Sequence, residues 1–193
     1  LELLRKAYSN AGEAIKAKAE KFADENEWCK SYSLFMAAKE KFDNKPWYEW
    51  SEDFARYENC LKNADKLKDE ADFYAFVQYI AFSQWKEIKL YANDRGVKIL
   101  GDMPIYVSMD SADVWSNRRL FEIDENDFSK KRVAGVPPDY FSENGQLWGN
   151  PLYRWEAHRE TGYQWWITRL WYCFELYDVV RIDHFRGFDE YFS

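Results

Sequence analysis

The stretch VVRIDHFRG at residues 179–187 decides how the rest of the sequence is interpreted. It begins as a short apolar strand, and side chains along a strand alternate between its two faces. Arg181 and Asp183 therefore point to one face, while Ile182 points to the other. In barrels of alternating strands and helices, catalytic residues lie at the carboxyl ends of strands, because the substrate-binding loops open there. We therefore expect the chemistry of this chain at this strand end.

An arginine beside an aspartate favours the ionised carboxylate, so the sequence predicts a standing negative charge on Asp183. Such a charge suits a nucleophile or an electrostatic stabiliser and does not suit a general acid. The alternative is a structural ion pair between Arg181 and Asp183 that only holds the strand end in place, because structural pairs also shift pKa values.

Charge and cysteine usage exclude several classes of protein. The formal net charge is -7 and no basic block is present, which argues against nucleic-acid binding. The apolar runs are short and interrupted by charge, so the sequence predicts no membrane-spanning helix, and residues 1–22 do not resemble a signal peptide. Cys29, Cys60 and Cys173 stand singly, which predicts reduced, buried thiols in a cytoplasmic protein.

Aromatic residues make up 20% of the chain, an unusually large share. Aromatic rings bury much area per residue, so one interpretation is a heavily aromatic core. The other is a set of flat platforms for ligands with an apolar face, sugars among them. Composition does not choose between these interpretations.

The first half of the chain carries four apolar patterns with helical spacing. The first pattern predicts one continuous helix with an apolar stripe of Leu4, Tyr8, Ala11, Ile15, Ala19 and Phe22. The others cover residues 28–42, a segment opened by Pro46, and the long run 73–91, which Gly96 closes. Residues 97–107 then predict a buried strand, and a helix, a glycine and a buried strand form a unit of a parallel α/β fold.

The second half differs in composition. Residues 108–162 lose the periodicity and are rich in Asp, Asn, Gly and Pro, and segments of this length are usually functional or ordered by their own packing. Residues 163–177 return to a helix that leads into the strand at residue 179.

Only two convincing core strands are present, whereas a closed barrel needs about eight. The chain is therefore either a small, mostly helical α/β protein or one piece of a larger protein. Because it begins with Leu1 inside a helical pattern and stops at Ser193 just after its most informative motif, we expect a piece.

Three blocks of sequence closely resemble the 4-alpha-glucanotransferases called amylomaltases or disproportionating enzymes, glycoside hydrolase family 77. They are GDMPIYV at 101–107 with DSADVW at 110–115, VAGVPPDYFS at 133–142 with GQLWGNPLY at 145–153, and VRIDHFRG at 180–187. Their order is that of the family, and the helical first half also looks like the family's region before these blocks.

The resemblance implies part of a (β/α)8 barrel of the alpha-amylase superfamily, in which residues 97–107 and 179–183 are the third and fourth strands. The implied divisions are a helical inserted subdomain (1–69), a barrel helix with the third strand (70–107), an active-site excursion (108–162) and a barrel helix with the fourth strand (163–193). Members transfer alpha-1,4-glucan segments between maltooligosaccharides or starch and glycogen chains, with retention of configuration.

The resemblance also implies roles for single residues. Asp183 matches the nucleophile, Arg181 matches the arginine beside it, and Asp102 matches a residue that lines the sugar subsite next to the cleaved bond. A loop over the acceptor side is matched by Tyr140, Phe141, Gln146 and Trp148.

A retaining mechanism needs a second carboxyl group about 5 to 5.5 Å from the nucleophile. In the family that glutamate lies on a later strand, beyond Ser193, so we expect these residues alone to be inactive. The alternative function is a non-catalytic glucan-binding or structural module. A third possibility, a helical interaction protein, predicts that Arg181 and Asp183 do not converge with Asp102.

The sequence predicts no cofactor and no metal site, because His184 and His158 are the two histidines and no set of zinc ligands accompanies them. It also predicts that exposed strand edges favour self-association of the fragment.

Overall fold

The structure is a computed structural model that describes residues 1–138, 140 and 142–189. It divides into two compact units, one formed by Leu1–Ile88 with Asp110–Ser116 and the other by Lys89–Met109 with the chain from Asn117 onward. Described helices and strands, in chain order, are α1 (Glu2–Ser9), α2 (Glu13–Glu25), α3 (Glu27–Lys41), α4 (Glu52–Ala55), α5 (Tyr57–Lys62), α6 (Lys68–Asn93), β1 (Leu100–Pro104), α7 (Ala112–Ser116), β2 (Val133–Val136), β3 (Gln146–Pro151), α8 (Trp155–Glu160), α9 (Gln164–Leu176) and β4 (Val179–Asp183). The prediction of a mostly helical α/β chain is confirmed, and the described strands form two two-stranded sheets.

The first unit is a helical assembly with an aromatic core. Trp115 of α7 is fully buried, and its ring contacts the rings of Phe35, Trp50 and Tyr57 at centroid distances of 5.6, 5.8 and 5.0 Å. The Trp115 indole N-H donates to the carbonyl of Phe54 at 3.0 Å, so a buried polar group is satisfied. An aromatic core, the first interpretation of the composition, is therefore present.

Asp110 anchors the segment that returns to this unit. Its carboxylate accepts a hydrogen bond from Lys39 Nζ at 2.7 Å and another from the backbone N-H of Trp47 at 3.3 Å. Lys39 also donates to the carbonyls of Asn44 and Lys45, so one ammonium group binds the end of α3 and the returning chain.

The prediction of one continuous helix from Leu4 to Phe22 is wrong. The helix ends at Ser9, and α2 begins at Glu13 after Gly12 in an extended conformation. The Asn10 side chain donates to the Lys6 carbonyl at 2.8 Å, which closes α1. The apolar stripe continues across the break, so periodicity alone gave no sign of it.

The pattern after Pro46 also does not form one helix. It forms a 3-10 turn, Trp47–Glu49, and then the short helices α4 and α5, because Trp50, Ser51 and Arg56 are extended. The predictions for α3, α6 and α9 are confirmed within a few residues. Gly96 has a φ of 73° after the end of α6, as a left-handed closing residue requires.

The second unit is built on a parallel pair of strands, β1 and β4. Their register places Asp102 opposite Arg181 and Pro104 opposite Asp183. At the amino end of the pair, the Asp178 carboxylate accepts the backbone N-H of Ile99 at 2.8 Å and the Asn93 amide at 2.9 Å. These hydrogen bonds join the end of α6 to the starts of both strands.

Lys89 fixes the helix that leads into β4. Its ammonium group donates to three carbonyls at the end of α9, those of Phe174, Glu175 and Tyr177, at 3.0 to 3.1 Å. A cation at this place satisfies acceptors that a helix end leaves open and complements the helix dipole.

The excursion between β1 and α9 contains the antiparallel hairpin of β2 and β3. Gly145 returns the chain into β3 with a φ of 70°, and a Cβ there would lie 2.5 Å from the carbonyl oxygen of Val136. The turn therefore requires glycine.

The second unit contains an aromatic cluster of its own. Tyr153 contacts the rings of Trp155, Trp165, Trp166 and His158 at 5.0 to 5.7 Å. His158 is fully buried, and this burial lowers the pKa of its imidazole, while the backbone of Leu120 opposes that shift.

Cys29 and Cys60 are buried free thiols, as predicted, whereas Cys173 is a free thiol that is only half-buried. Burial raises the pKa of Cys29 to about 11 and that of Cys60 to about 12, so both are unreactive in the thiol form. Within the described part of the chain, no helix combines the length and the apolar character that crossing a membrane would take.

Gly101 lies in β1 directly against an aromatic ring. A Cβ at this position would lie 2.1 Å from Cδ2 of Tyr177. We therefore expect Gly101→Ala to lower the free energy of unfolding by about 1–3 kcal/mol, because an added methyl group must push the ring or the strand aside. Urea denaturation measures the change.

The matched control is Gly12→Ala, where no atom lies within 4 Å of the added Cβ. As an N-cap change it should cost no more than about 1 kcal/mol. Equal losses for the two variants would contradict the packing of Tyr177 against β1.

Candidate functional site

Arg181 connects the two parallel strands through a bidentate contact. Its Nε and Nη2 donate to the two carboxylate oxygens of Asp102 at 2.9 and 2.7 Å. The strand register causes this, since Asp102 and Arg181 are direct partners on one face of the pair. Two parallel N-H···O bonds fix the orientation of both groups.

Asp183 lies on the same face and meets the same guanidinium. Its Oδ1 lies 3.3 Å from Arg181 Nη2, an ion-pair distance. One cation thus lies between two carboxylates at the carboxyl end of β1 and β4. The convergence of Asp102, Arg181 and Asp183 argues against the helical interaction protein, which required these groups to lie apart.

The sequence predicted only part of this arrangement. It placed Arg181 and Asp183 on one face, which the structure confirms, but it paired the arginine with Asp183. The structure directs both guanidinium hydrogen bonds to Asp102 instead, because the cross-strand partner lies squarely opposite.

The contact between Arg181 and Asp102 shifts the pKa values of both groups. The hydrogen bonds from Arg181 hold the pKa of the Asp102 carboxyl below its ordinary value, and they raise the pKa of the Arg181 guanidinium. Asp102 is therefore an anion over the whole neutral range and is not a proton donor.

The chain turns sharply directly after Asp183. His184 has a φ of 54°, an uncommon conformation for a residue other than glycine, and a 3-10 turn follows over Phe185–Phe188. Gly187 permits close packing here, since a Cβ on it would lie 2.9 Å from Ile105 Cδ1 and 3.1 Å from Tyr106 Oη. The backbone that follows Asp183 is thus packed directly against the chain that follows β1.

Trp148 of the hairpin lies beside this turn. Its ring meets the ring of His184 edge-on at 5.0 Å, and its indole N-H donates to the Gln146 side-chain oxygen at 3.0 Å. The ring is 40% exposed, which leaves apolar surface open next to the strand end. The structure therefore brings two residues of the predicted acceptor loop to the site.

The remaining loop residues are placed differently. Tyr140 is 97% exposed and projects into solvent at the hairpin tip. Phe141 was also predicted to bind substrate and lies outside the described residues. Among residues 1–138, 140 and 142–189, no group of three or more His, Cys, Asp or Glu side chains is arranged to hold a metal ion.

The fold and the site together define a class of protein. The charged side chains of the site lie at the carboxyl ends of adjacent parallel strands, and a loop with an exposed indole borders them. This arrangement is typical of α/β proteins whose ligand site opens at that end of the sheet.

The sequence profile of the family described as 4-alpha-glucanotransferase matches residues 1–193. The chain therefore belongs to that family, glycoside hydrolase family 77.

Individual relatives agree with this assignment. A 4-alpha-glucanotransferase of Clostridium butyricum is 45% identical over 100% of this chain and 40% of its own, and one of Aquifex aeolicus is 46% identical over 100% and 39%. An amylomaltase from Streptococcus agalactiae, solved in complex with acarbose, superimposes with a TM-score of 0.91 at 42% identity, over 98% of this chain and 39% of that one. The chain thus spans about 40% of the length of the curated relatives it matches.

The contact between Arg181 and Asp102 predicts a titration. In Arg181→Met, the pKa of Asp102 should rise toward its ordinary value of 3.8, because the hydrogen bonds that stabilise the carboxylate are lost. The side-chain carboxyl carbon resonance of Asp102, followed by NMR as the pH is lowered, measures the change.

Asp178 supplies an internal control in the same spectra. Its pKa is lowered by the Ile99 backbone and Asn93, neither of which the substitution touches, so it should stay low in both proteins. An unchanged titration of Asp102 would contradict the bidentate contact.

Proposed function

We propose that this chain supplies the nucleophile-bearing part of a 4-alpha-glucanotransferase, which transfers alpha-1,4-glucan segments between maltooligosaccharides or starch and glycogen chains with retention of configuration. The observation that carries the proposal is the convergence of Asp102, Arg181 and Asp183 on one face at the strand ends. Family membership supports it.

In this proposal Asp183 attacks the anomeric carbon of the donor sugar. Its position at the last residue of β4, at the open end of the sheet, leaves the carboxylate accessible to a ligand. Arg181 donates both hydrogen bonds to Asp102, and its Nη2 also lies 3.3 Å from Asp183 Oδ1. The guanidinium therefore orients the nucleophile without forming a bidentate pair with it. Asp102 accepts hydrogen bonds from sugar hydroxyl groups next to the cleaved bond.

A retaining transfer also needs a protonated carboxyl group about 5 to 5.5 Å from the nucleophile. Asp102 does not fit that role, because the hydrogen bonds from Arg181 lower its pKa. We place the acid on a glutamate beyond Ser193, as the family resemblance implies. We therefore propose that residues 1–193 alone do not catalyse the transfer.

The acceptor sugar contacts the β2–β3 hairpin in this proposal. The exposed face of Trp148 offers a stacking surface, and Gln146 beside it offers an amide. Tyr140 and Phe141 are proposed as further acceptor contacts, because the family resemblance places both in the loop on the acceptor side.

The architecture proposed for the whole protein is a (β/α)8 barrel in which β1 and β4 are the third and fourth strands. The parallel pairing of β1 with β4, and the helix α9 that precedes β4, support this placement. The division into residues 1–69, 70–107, 108–162 and 163–193 stays a prediction.

Substitution of Asp183 tests the catalytic proposal. In the full natural protein incubated with maltotriose, the wild type should produce glucose and longer maltooligosaccharides. Asp183→Ala should lower this rate by about 10³-fold or more, because no covalent intermediate can form. Chromatography of the oligosaccharides measures the distribution of chain lengths.

Asp94→Asn is the matched control, since Asp94 is an exposed aspartate on the turn after α6 and should leave the rate unchanged. Residues 1–193 expressed alone should produce no redistribution. A full protein that binds maltotriose without redistributing chain lengths would favour the alternative, a glucan-binding module.

We also propose that residues 1–193 alone associate with a second copy through strand edges. Each strand of the β1–β4 pair has one edge without a sheet partner among the described residues. Leu100 and Val179 near these edges are 66% and 47% exposed, which is the pattern that invites edge pairing.

Light scattering after size exclusion tests this association. Residues 1–193 should show a mass above the 23.3 kDa of one chain, rising with concentration, and Val179→Lys should lower it. Leu3→Lys is the control, because Leu3 is 83% exposed on α1 and lies outside the sheet. A monodisperse monomer would contradict the proposal.

A further inference from the structure

The chain bends immediately after β1, and one side chain meets both carbonyls at the bend. Arg169 of α9 donates from Nη2 to the Pro104 carbonyl at 2.6 Å and from Nη1 to the Ile105 carbonyl at 3.2 Å. Consecutive carbonyls of an extended strand point in opposite directions, so one guanidinium reaches both only where the chain departs from the strand. Arg169 therefore holds this departure in place.

Arg169 is itself held firmly. Its guanidinium carbon lies 5.2 Å from the ring of Trp165 and 5.3 Å from that of Trp166, both on its own helix. Tyr153 donates a further hydrogen bond to the Ile105 carbonyl at 2.6 Å. The bend is thus fixed from two elements, α9 and the chain after β3.

The bend packs against the turn that follows Asp183. Pro104 is the strand partner of Asp183, and the next two residues, Ile105 and Tyr106, lie where they leave no space for a side chain at Gly187. A shift of the bend would therefore displace the His184–Gly187 turn and the carboxylate at its start.

We propose that Arg169 is a positioning residue for glucan transfer. It touches neither Asp183 nor the reacting atoms, and it acts by fixing the Pro104–Tyr106 bend that supports the turn after Asp183. This inference rests on the proposed function.

Arginine is required at this position because the planar fork delivers two donors at fixed angles to two acceptors. A lysine retains the charge but delivers it as a point on a flexible stem, so it can satisfy one carbonyl and leave the bend free to move. Charge alone therefore does not replace Arg169.

The test compares variants of the full natural protein in the maltotriose assay. Arg169→Lys should lower kcat by about tenfold to 100-fold with little change in KM, because a displacement near 1 Å costs about that much in a reaction between positioned groups. Tyr153→Phe, which removes the second support, should lower kcat in the same direction. The double variant should lose less than the product of the single effects, since both act on one bend.

Lys89→Met separates positioning from stability. It removes three hydrogen bonds at the carboxyl end of α9, so it should lower Tm while leaving kcat near the wild-type value. Wild-type kcat in Arg169→Lys would overturn the positioning role. So would a loss of kcat in Lys89→Met as large as that in Arg169→Lys at an equal loss of Tm. If Arg169→Lys does not fold, Tyr153→Phe decides by the same comparison.

Asp183→Ala, assayed in parallel, distinguishes failure of this inference from failure of the proposed function. Redistribution that persists in Asp183→Ala overturns both proposals. Redistribution that is lost in Asp183→Ala but intact in Arg169→Lys and Tyr153→Phe overturns the positioning role alone.

Discussion

The arrangement of the site depends on the fork between Arg181 and Asp102 across the two parallel strands. Both side chains are more than half exposed, and exposed ion pairs contribute little to stability. The contact therefore does little to hold the sheet together. Its effect is directional, because it fixes where a positive charge stands relative to Asp183 and keeps Asp102 ionised. A change at this contact would alter the charge pattern of the site far more than the fold.

The sheet is held instead by groups at its ends. Asp178 joins the two strand starts, Lys89 closes the helix that feeds β4, and Arg169 with Tyr153 fixes the chain leaving β1. Each of these contacts satisfies backbone groups that would otherwise lack a partner at the end of an element. The stability of the sheet therefore depends little on the face that carries Asp102, Arg181 and Asp183, and these side chains are available to a ligand.

The periodicity of apolar residues and the positions of glycine made much of the fold predictable from the sequence. Helices α3, α6 and α9, the closing glycine Gly96 and the common face of Arg181 and Asp183 follow from local spacing. The break at Asn10 was not predictable from the stripe, which runs through it, and the register of Asp102 with Arg181 depends on tertiary pairing. The contact of Trp148 with His184 was equally hidden, because helices α8 and α9 lie between the two residues along the chain.

Arg169 did leave a signal in the sequence, as the lone charged residue in the run WWITRLW at 165–171, which is mostly aromatic and apolar. A charge so placed usually has a dedicated partner, because a cation among apolar side chains is costly when unpaired.

Pro104 has a consequence for the outer edge of β1. Backbone groups of alternate residues in a parallel strand face the same neighbour, and the Ile99 carbonyl accepts the Val179 N-H on the β4 side, so Pro104 faces the opposite edge. Because proline has no N-H, that edge lacks a donor at the rung that contains Asp183. A strand that lies along this edge cannot continue its hydrogen bonding through Pro104. The end of the strand pair that carries the acidic groups therefore stays open on that side.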